Sequence, residues 1–168
     1  MKSLIIYFSH TGENYMSDGI RNTEKGNTEI AASYIIEITN GDVFEVRTIK
    51  EYPYNYKECC AQALKEQEEN LHPELKEYLT DIEDYDKIFI GGPIWYNTYP
   101  MAIFSLLERL DFKSKTIYPF STHEGSGVGN IKNDLNKYLK GAIIKSPLAI
   151  RGSDAKNSKK IIENWINS

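Results

Sequence analysis

The chain has 168 residues, of which 40% are hydrophobic, and its formal net charge is -4. This length and apolar content predict one domain with one substantial core. The negative charge disfavours general binding to nucleic acid, and no apolar run approaches the roughly 20 residues of a membrane span. The chain also starts without a leader-like segment, so we expect a cytoplasmic protein with no membrane partner.

The stretch from Lys2 to Thr28 predicts a phosphate site. An apolar run, residues 4–8, is typical of a strand buried on both faces of a parallel sheet. It leads into the hydroxyl-rich loop Ser9-His10-Thr11-Gly12-Glu13-Asn14, and an amphipathic helix begins near Thr28. The free N–H groups and the positive dipole end of a helix favour an anion. The alternative is a capped helix with ordinary turn residues.

This stretch is longer than a strand-to-helix turn requires, because 19 residues separate Phe8 from Thr28. Asp18-Gly19 lies between Tyr15-Met16 and Ile20-Arg21, which indicates a small hairpin with a tight turn. We expect the base of this hairpin to return to the site. The alternative is that residues 14–25 are a loose surface segment.

The rest of the chain alternates helix and strand patterns. In chain order these are a helix over 28–39, a strand over 43–46, a polar helix over 56–70, a short helix from Pro73, a strand over 87–90, a helix from Pro100 to Leu110, a strand over 115–120 with irregular pairing at Pro119, a helix over 131–139, a strand within 142–150 interrupted at Pro147, and a last helix that buries Ile161, Ile162, Trp165 and Ile166. This order predicts an α/β fold, a three-layer α/β/α doubly wound parallel sheet.

Three loops should meet at the carboxyl ends of the strands, where such sheets bind ligands. They are residues 9–27, 91–99 and 121–129. Trp95 and Tyr96 in the second loop favour stacking on a flat ring, although Trp95 could instead fill the core. Glycines in the third loop allow close approach to a ligand. His123 and Glu124 alone do not make a catalytic site, and the spacing of the three histidines and two adjacent cysteines indicates no metal site.

Four segments together resemble the flavodoxin family, in particular its short-chain flavodoxin-like members. They are residues 7–12 (YFSHTG), 26–29 (GNTE), 92–96 (GPIWY) and 122–127 (THEGSG). The resemblance implies a five-stranded sheet in the order 2-1-3-4-5 and noncovalent FMN. It implies a phosphate loop of Ser9, His10, Thr11, Asn14 and Thr28, a first ring loop of Pro93, Ile94, Trp95, Tyr96 and Asn97, and a second ring loop of Thr122, His123, Glu124, Gly125, Ser126 and Gly127. Because residues 13–25 interrupt the TGNT pattern of many flavodoxins, it stays open which of Glu13, Asn14, Asn27 and Thr28 contact phosphate.

Three functions remain open on the sequence alone. The first is an electron carrier that docks a redox partner protein near the flavin through its acidic residues, which dominate 66–86. The second is an FMN-dependent reductase that uses a nicotinamide cofactor and a small acceptor such as a quinone. The third, a flavin-free regulatory module, is disfavoured because Phe8-Ser9 and Gly91-Gly92 stand where a phosphoacceptor site needs acidic residues. For a flavin protein, we expect protonation of His123 near the ring N1 to raise the reduction potential.

Overall fold

The computed structural model describes residues 2–168. The elements in chain order are β1 (Lys2–Tyr7), β2 (Gly12–Met16), β3 (Gly19–Thr23), α1 (Asn27–Thr39), β4 (Asp42–Glu45), α2 (Tyr56–Glu68), β5 (Tyr85–Pro93), α3 (Met101–Leu107), β6 (Thr116–His123), α4 (Ile131–Tyr138), β7 (Ile143–Ile144), β8 (Leu148–Arg151), a 3-10 helix (Gly152–Asn157) and α5 (Lys159–Ile166). Within this part of the chain, no helix is long and apolar enough to cross a membrane.

The main sheet confirms the predicted fold. Its strands pair in parallel in the order β4-β1-β5-β6-β7, and β8 also pairs with β6. The hairpin β2–β3 forms a separate two-stranded sheet. When β7 and β8 count as one interrupted strand, the order of the main sheet is the expected 2-1-3-4-5.

Alternate side chains of β1 enter the two layers of the core. Leu4 and Ile6 belong to the cluster that contains Ile103 of α3, and all three are at most 1% exposed. Ile5 belongs to the opposite cluster with Ala31 and Ile35 of α1, all fully buried. Burial on this scale stabilises the fold by about 1.5–3 kcal/mol for each large apolar side chain. Helices on both faces explain why the apolar run at residues 4–8 is continuous.

Two prolines mark an irregular edge, as predicted. β6 pairs with β7 at residues 116–117 and with β8 at residues 120–123, so Pro119 lies opposite the break that contains Pro147. On its other side, Pro119 stays in register with Ile90 of β5. The missing N–H of Pro119 therefore coincides with the interruption of the neighbouring strand.

Two local predictions were wrong. Pro73 does not start a helix, because the backbone there pairs with the segment after β4: Leu75 forms an antiparallel bridge with Thr48, and Lys76 N–H donates to Arg47 O at 2.8 Å. The second error is Ile161, which is 51% exposed, whereas its neighbour Ile162 is fully buried. The buried stripe of α5 thus excludes Ile161.

Candidate functional site

A cavity of about 270 Å³ lies at the carboxyl edge of the main sheet, and we call it the central cavity. The chain runs from β1 to β4 on one side and returns to β5 on the other, so the cavity lies near the topological switch point. Its walls come from the hairpin, the starts of α1 and α2, and the loops after β5, β6 and β8. The lining residues are Asn14, Tyr15, Asn27, Tyr56, Pro93, Ile94, Trp95, Thr122, His123, Glu124, Ser126 and Gly152.

The loop after β1 lies directly against the N-terminus of α1. The hydroxyl of Ser9 accepts a hydrogen bond from the backbone N–H of Glu29 at 3.2 Å. A Cβ on Gly26, the N-cap residue, would lie 2.1 Å from Ser9 Oγ, so only glycine allows this approach. Behind it, the buried hydroxyls of Thr28 and Thr122 are hydrogen-bonded at 2.8 Å, which joins the phosphate loop to the second ring loop. A helix N-terminus beside hydroxyls suits an anion without a cation.

The predicted hairpin is confirmed, and both of its ends are attached to the site. Its turn is Ser17-Asp18, one residue before the predicted Asp18-Gly19, because Met16 pairs with Gly19. At the base, the Asn14 amide donates to the carbonyl oxygen of His10 at 2.8 Å and to the Thr23 hydroxyl at 2.6 Å. At the turn, the Ser17 N–H donates to Ser153 Oγ at 2.9 Å. The amide hydrogens of Asn14 therefore hold the loop closed.

The loop after β5 has a packed side and a protruding side. The Trp95 ring packs edge-on against Phe8 and Tyr52, with centroid distances of 5.3 and 5.0 Å. It is half-buried, so it combines the two alternatives, a core contact and a cavity wall. Tyr96 and Asn97 have φ values of 50° and 73°. The backbones of Trp95 and Thr98 exchange two N–H···O hydrogen bonds. The two residues between them, both with positive φ, therefore form a tight turn that leaves the Tyr96 ring partly exposed.

The loop after β6 carries two titratable side chains on the cavity wall. His123 Nδ1 accepts a hydrogen bond from Gly125 N–H at 2.9 Å, which requires an unprotonated Nδ1. Burial, assisted by the charge of Arg151, lowers the pKa of His123 below its ordinary value. The Glu124 carboxylate accepts two hydrogen bonds through Oε1, from Ser153 N–H at 2.7 Å and Ser153 Oγ at 2.6 Å. Its buried Oε2 has no hydrogen-bond partner among residues 2–168, with Arg151 Nε at 4.0 Å.

The structure distributes the predicted residues over several walls. Eight of them line the central cavity: Asn14, Pro93, Ile94, Trp95, Thr122, His123, Glu124 and Ser126. Ser9, His10 and Thr11 line a polar cleft of about 400 Å³ on the β4 side of the phosphate loop. Thr28 is buried at the start of α1, whereas Asn97, Gly125 and Gly127 lie outside the central cavity wall.

Tyr15, Tyr56 and Gly152 line the central cavity without having been predicted, and so does Asn27, whose contact with phosphate the sequence left open. Asn27 had a signal, since it directly precedes Thr28 in the GNT segment. Tyr56 and Gly152 had none, because only tertiary contacts bring them here. A Cβ on Gly152 would lie 2.4 Å from Asn27 Nδ2, so this glycine permits the close approach of the chain after β8 to the start of α1.

A second, smaller cavity of about 200 Å³ adjoins the first, and we call it the side cavity. Four residues, Asn14, Tyr56, Ile94 and Trp95, line both cavities. The remaining lining of the side cavity comes from His10, Glu13, Cys59, Cys60, Ala63 and Tyr96. The base of the hairpin forms one wall, as predicted, and the start of α2 forms another that the sequence did not predict.

The residues present suit the FMN that the resemblance implies. The hydroxyls and helix N–H groups beside Gly26 can bind a phosphate, and the aromatic wall around Trp95 and Tyr56 can hold a flat ring. The unpartnered Oε2 of Glu124 is an acceptor for a donor such as a hydroxyl of the cofactor. The site thus has a polar end, an aromatic section and a free acceptor, in agreement with a phosphorylated ring compound.

Comparisons with known proteins agree with this geometry. A family model described as flavodoxin matches residues 20–168. A candidate flavoprotein from Bacteroides uniformis is 27% identical, with 99% of this chain and 98% of that chain covered and a TM-score of 0.79. Another from Bacteroides eggerthii is 26% identical, covering 99% and 96% with a TM-score of 0.78.

A third solved structure, a flavoprotein in complex with FMN from Lactobacillus acidophilus, shares the fold at 20% identity, covering 93% of this chain and 97% of that chain with a TM-score of 0.63. No curated protein matches the sequence. The family model covers most of the chain, and the strand order is the one that the resemblance implies. The chain belongs to the flavodoxin family.

Proposed function

We propose that this protein binds FMN in the central cavity and acts in electron transfer. The observation that carries the proposal is that the phosphate loop and the second ring loop are joined at one edge of the sheet. Ser9 bonds to the N-terminus of α1, and Thr28 of that helix is hydrogen-bonded at 2.8 Å to Thr122, which lines the central cavity. Membership of the flavodoxin family and the FMN complex of the Lactobacillus acidophilus protein support the choice of cofactor.

FMN supplies the redox chemistry when it is bound, and the residues of this chain bind and orient it. The hydroxyls of Ser9 and Thr11 and the helix N–H groups would hold the phosphate. The loops after β5 and β6 would flank the ring. His123 is held with Nδ1 as an acceptor, so at neutral pH it brings a neutral imidazole rather than a positive charge to this wall.

The absorption spectrum of the purified protein tests this proposal. We expect flavin bands near stoichiometric with protein, and release of FMN rather than riboflavin or FAD on denaturation. As a control, apo-protein should recover the bands when FMN is added. If apo-protein leaves the fluorescence of added FMN unquenched at micromolar concentration, the proposal fails.

Electron transfer to a partner protein is the first candidate role. The carboxylates between residues 68 and 86 are exposed and would attract a basic partner by long-range steering. Such encounters slow as salt screens the charges, with a Debye length of about 10 Å at 0.1 M. Electron transfer with a rate independent of ionic strength would contradict docking through this surface.

A second candidate role is that of an NAD(P)H-dependent reductase for small acceptors, and the side cavity favours it. The side cavity shares four wall residues with the central cavity, which provides room for a second molecule next to the proposed flavin. Consumption of NAD(P)H by the purified protein and a quinone, without an added reductase, would support this role. A carrier would consume NAD(P)H only after a reductase is added.

A further inference from the structure

The hairpin β2–β3 depends on a few attachments, because it has no core of its own. Its two strands form a sheet that is separate from the main sheet, and none of residues 13–24 is buried. An isolated two-stranded hairpin is at best marginally stable in water. Asn14 and Tyr15 of this hairpin nevertheless line the central cavity. The contacts that hold the hairpin therefore also determine where one wall of the cavity lies.

The base and the turn of the hairpin are attached differently. The backbone N–H and the carboxylate of Glu13 both bond the base to the segment at the start of α2. Within residues 2–168, the turn is held by the bond from Ser17 N–H to Ser153 Oγ at 2.9 Å and by a weak contact from Asn27 Nδ2 to Met16 Sδ at 3.3 Å. When the bond to Ser153 breaks, the turn can move away while the base stays attached.

Ser153, in the 3-10 helix after β8, links the hairpin to the loop after β6. Its hydroxyl donates to Glu124 Oε1 at 2.6 Å, and its backbone N–H donates to the same oxygen at 2.7 Å. A hydroxyl has one proton, so donation to the carboxylate leaves the lone pairs of Oγ for Ser17 N–H. Glu124 therefore fixes the Ser153 hydroxyl in the orientation that binds the hairpin.

The second oxygen of Glu124 connects this chain of bonds to the central cavity. The Glu124 side chain is 9% exposed and lines the cavity, and its Oε2 has no hydrogen-bond partner within residues 2–168. Burial of a carboxylate oxygen without a donor costs free energy. A donor from a molecule in the cavity satisfies Oε2 and leaves Glu124 on Ser153. Rotation toward solvent or toward the exposed Arg151, whose Nε is 4.0 Å away, satisfies it by releasing Ser153.

We propose that Ser153 and Glu124 are positioning residues that couple the binding of FMN to closure of the hairpin, which acts as a lid on the central cavity. This inference rests on the proposed function, because a hydroxyl or N–H group of FMN is the donor that Oε2 requires. Coupling of this kind is reciprocal: if the closed hairpin increases the affinity for FMN, FMN stabilises the closed hairpin by the same factor. Opening of the lid then precedes release of FMN.

Ser17→Pro tests the coupling from the side of the hairpin. It removes the N–H that donates to Ser153, and Ser17 does not line the central cavity. Neither turn residue has a positive φ, and proline is favoured at the first position of such turns, so the hairpin itself should not be destabilised. Ser17→Ala keeps the N–H and is the matched control. We expect recovery of flavin fluorescence after dilution to show release of FMN at least fivefold faster from Ser17→Pro and unchanged from Ser17→Ala.

Trypsin cleavage after Arg21 reports on the hairpin directly, because it follows the population of the open form when opening is fast. Saturating FMN should slow this cleavage at least fivefold in wild type and in Ser17→Ala, and less than twofold in Ser17→Pro. In a Glu124→Ala background, Ser17→Pro should change neither the cleavage nor the release of FMN further, since both substitutions break the same chain of bonds. Ser153→Ala should reproduce Ser17→Pro and replaces it if the proline variant does not fold.

The outcomes separate this proposal from the proposed function. Equal release from Ser17→Pro and Ser17→Ala, or equal cleavage of wild type with and without FMN, overturns the coupling while FMN binding stands. Additive effects of Ser17→Pro and Glu124→Ala also overturn it, because the hairpin would then be held independently of the carboxylate. If wild-type protein binds no FMN, the proposed function fails, and the coupling is overturned with it.

Discussion

Substitution of Gly26 by alanine tests whether the N-terminus of α1 binds the phosphate of FMN. The φ of Gly26 is -67°, which alanine adopts without strain, so the effect comes from crowding. The new Cβ would lie 2.1 Å from Ser9 Oγ and 2.7 Å from the backbone oxygen of His10. Ser9 can rotate, but the carbonyl cannot, so the loop must move away from the helix. Overpacking of this kind costs about 1–3 kcal/mol of stability.

The displacement should remove at least one hydrogen bond to the phosphate. Hydrogen bonds to charged groups contribute about 1.5–3 kcal/mol, which corresponds to a factor of about 10–150 in the dissociation constant. Riboflavin has the same ring and no phosphate, so its affinity should change much less. The assay is quenching of flavin fluorescence on titration with apo-protein, carried out with FMN and with riboflavin, and the measured quantity is the ratio of the two affinities.

Gly41 provides a matched control at the opposite edge of the sheet. A Cβ there would lie 2.7 Å from Ile5 Cδ1 and 2.8 Å from Ser3 O, so Gly41→Ala is crowded to a similar degree. It should lose stability in urea unfolding and keep the preference for FMN over riboflavin. If Gly26→Ala weakens both flavins by the same factor, or if Gly41→Ala also loses the preference, then the phosphate does not bind at this helix.

Three further substitutions test the walls of the site. Burial lowers the pKa of His123, so its contribution to stability is present above about pH 6.5 and is lost as the pH falls through the pKa of the folded state. In urea unfolding, the free energy of unfolding of His123→Gln should therefore rise relative to wild type as the pH falls from roughly 7 to 5, and a constant difference would contradict this linkage. Tyr52→Phe removes the hydroxyl that donates to buried Glu66 at 2.5 Å. Since burial already raises the pKa of Glu66, we expect the free energy of unfolding to fall by about 1–3 kcal/mol at neutral pH and by less in acid, and equal losses would refute the argument. Ser153→Ala breaks the bond to the hairpin turn, so limited proteolysis within residues 13–24 should become faster; unchanged cleavage would show that the hairpin is held by its base alone.

The main sheet could be predicted because each of its long strands has a local signal. A strand covered on both faces is a continuous apolar run, as at residues 4–8 and 87–90. The loops that follow such strands meet at one edge, so the motifs around Ser9, Trp95 and His123 could be assigned to a common site. The split of the last strand was also predictable, since Pro147 lacks the N–H that a ladder needs.

The parts that could not be predicted depend on contacts between distant segments. The segment after Pro73 forms no helix because residues 74–76 bond to the segment after β4, and no local pattern encodes that partner. Tyr56 reaches the central cavity because Glu13, 43 residues earlier, binds its backbone N–H. The hairpin was visible as a turn signal, but its attachment through Ser153 was not. Sequence patterns therefore predicted which loops meet at this edge of the sheet, whereas tertiary hydrogen bonds determine how the cavity between them is enclosed.

This enclosure is uneven, and that bears on the two candidate roles. The hairpin and the start of α2 cover one side, where the rings of Tyr15 and Tyr56 are 6.2 Å apart and Glu13 N–H donates to Tyr54 O at 3.0 Å. The opposite side carries Gly125 and Ser126, both exposed. A partner protein needs an exposed edge, whereas a small acceptor needs an enclosed volume. The exposed edge at Gly125 therefore suits electron transfer to a protein that the carboxylates between residues 68 and 86 attract, whereas the side cavity suits a small acceptor, so the two candidate roles do not exclude each other.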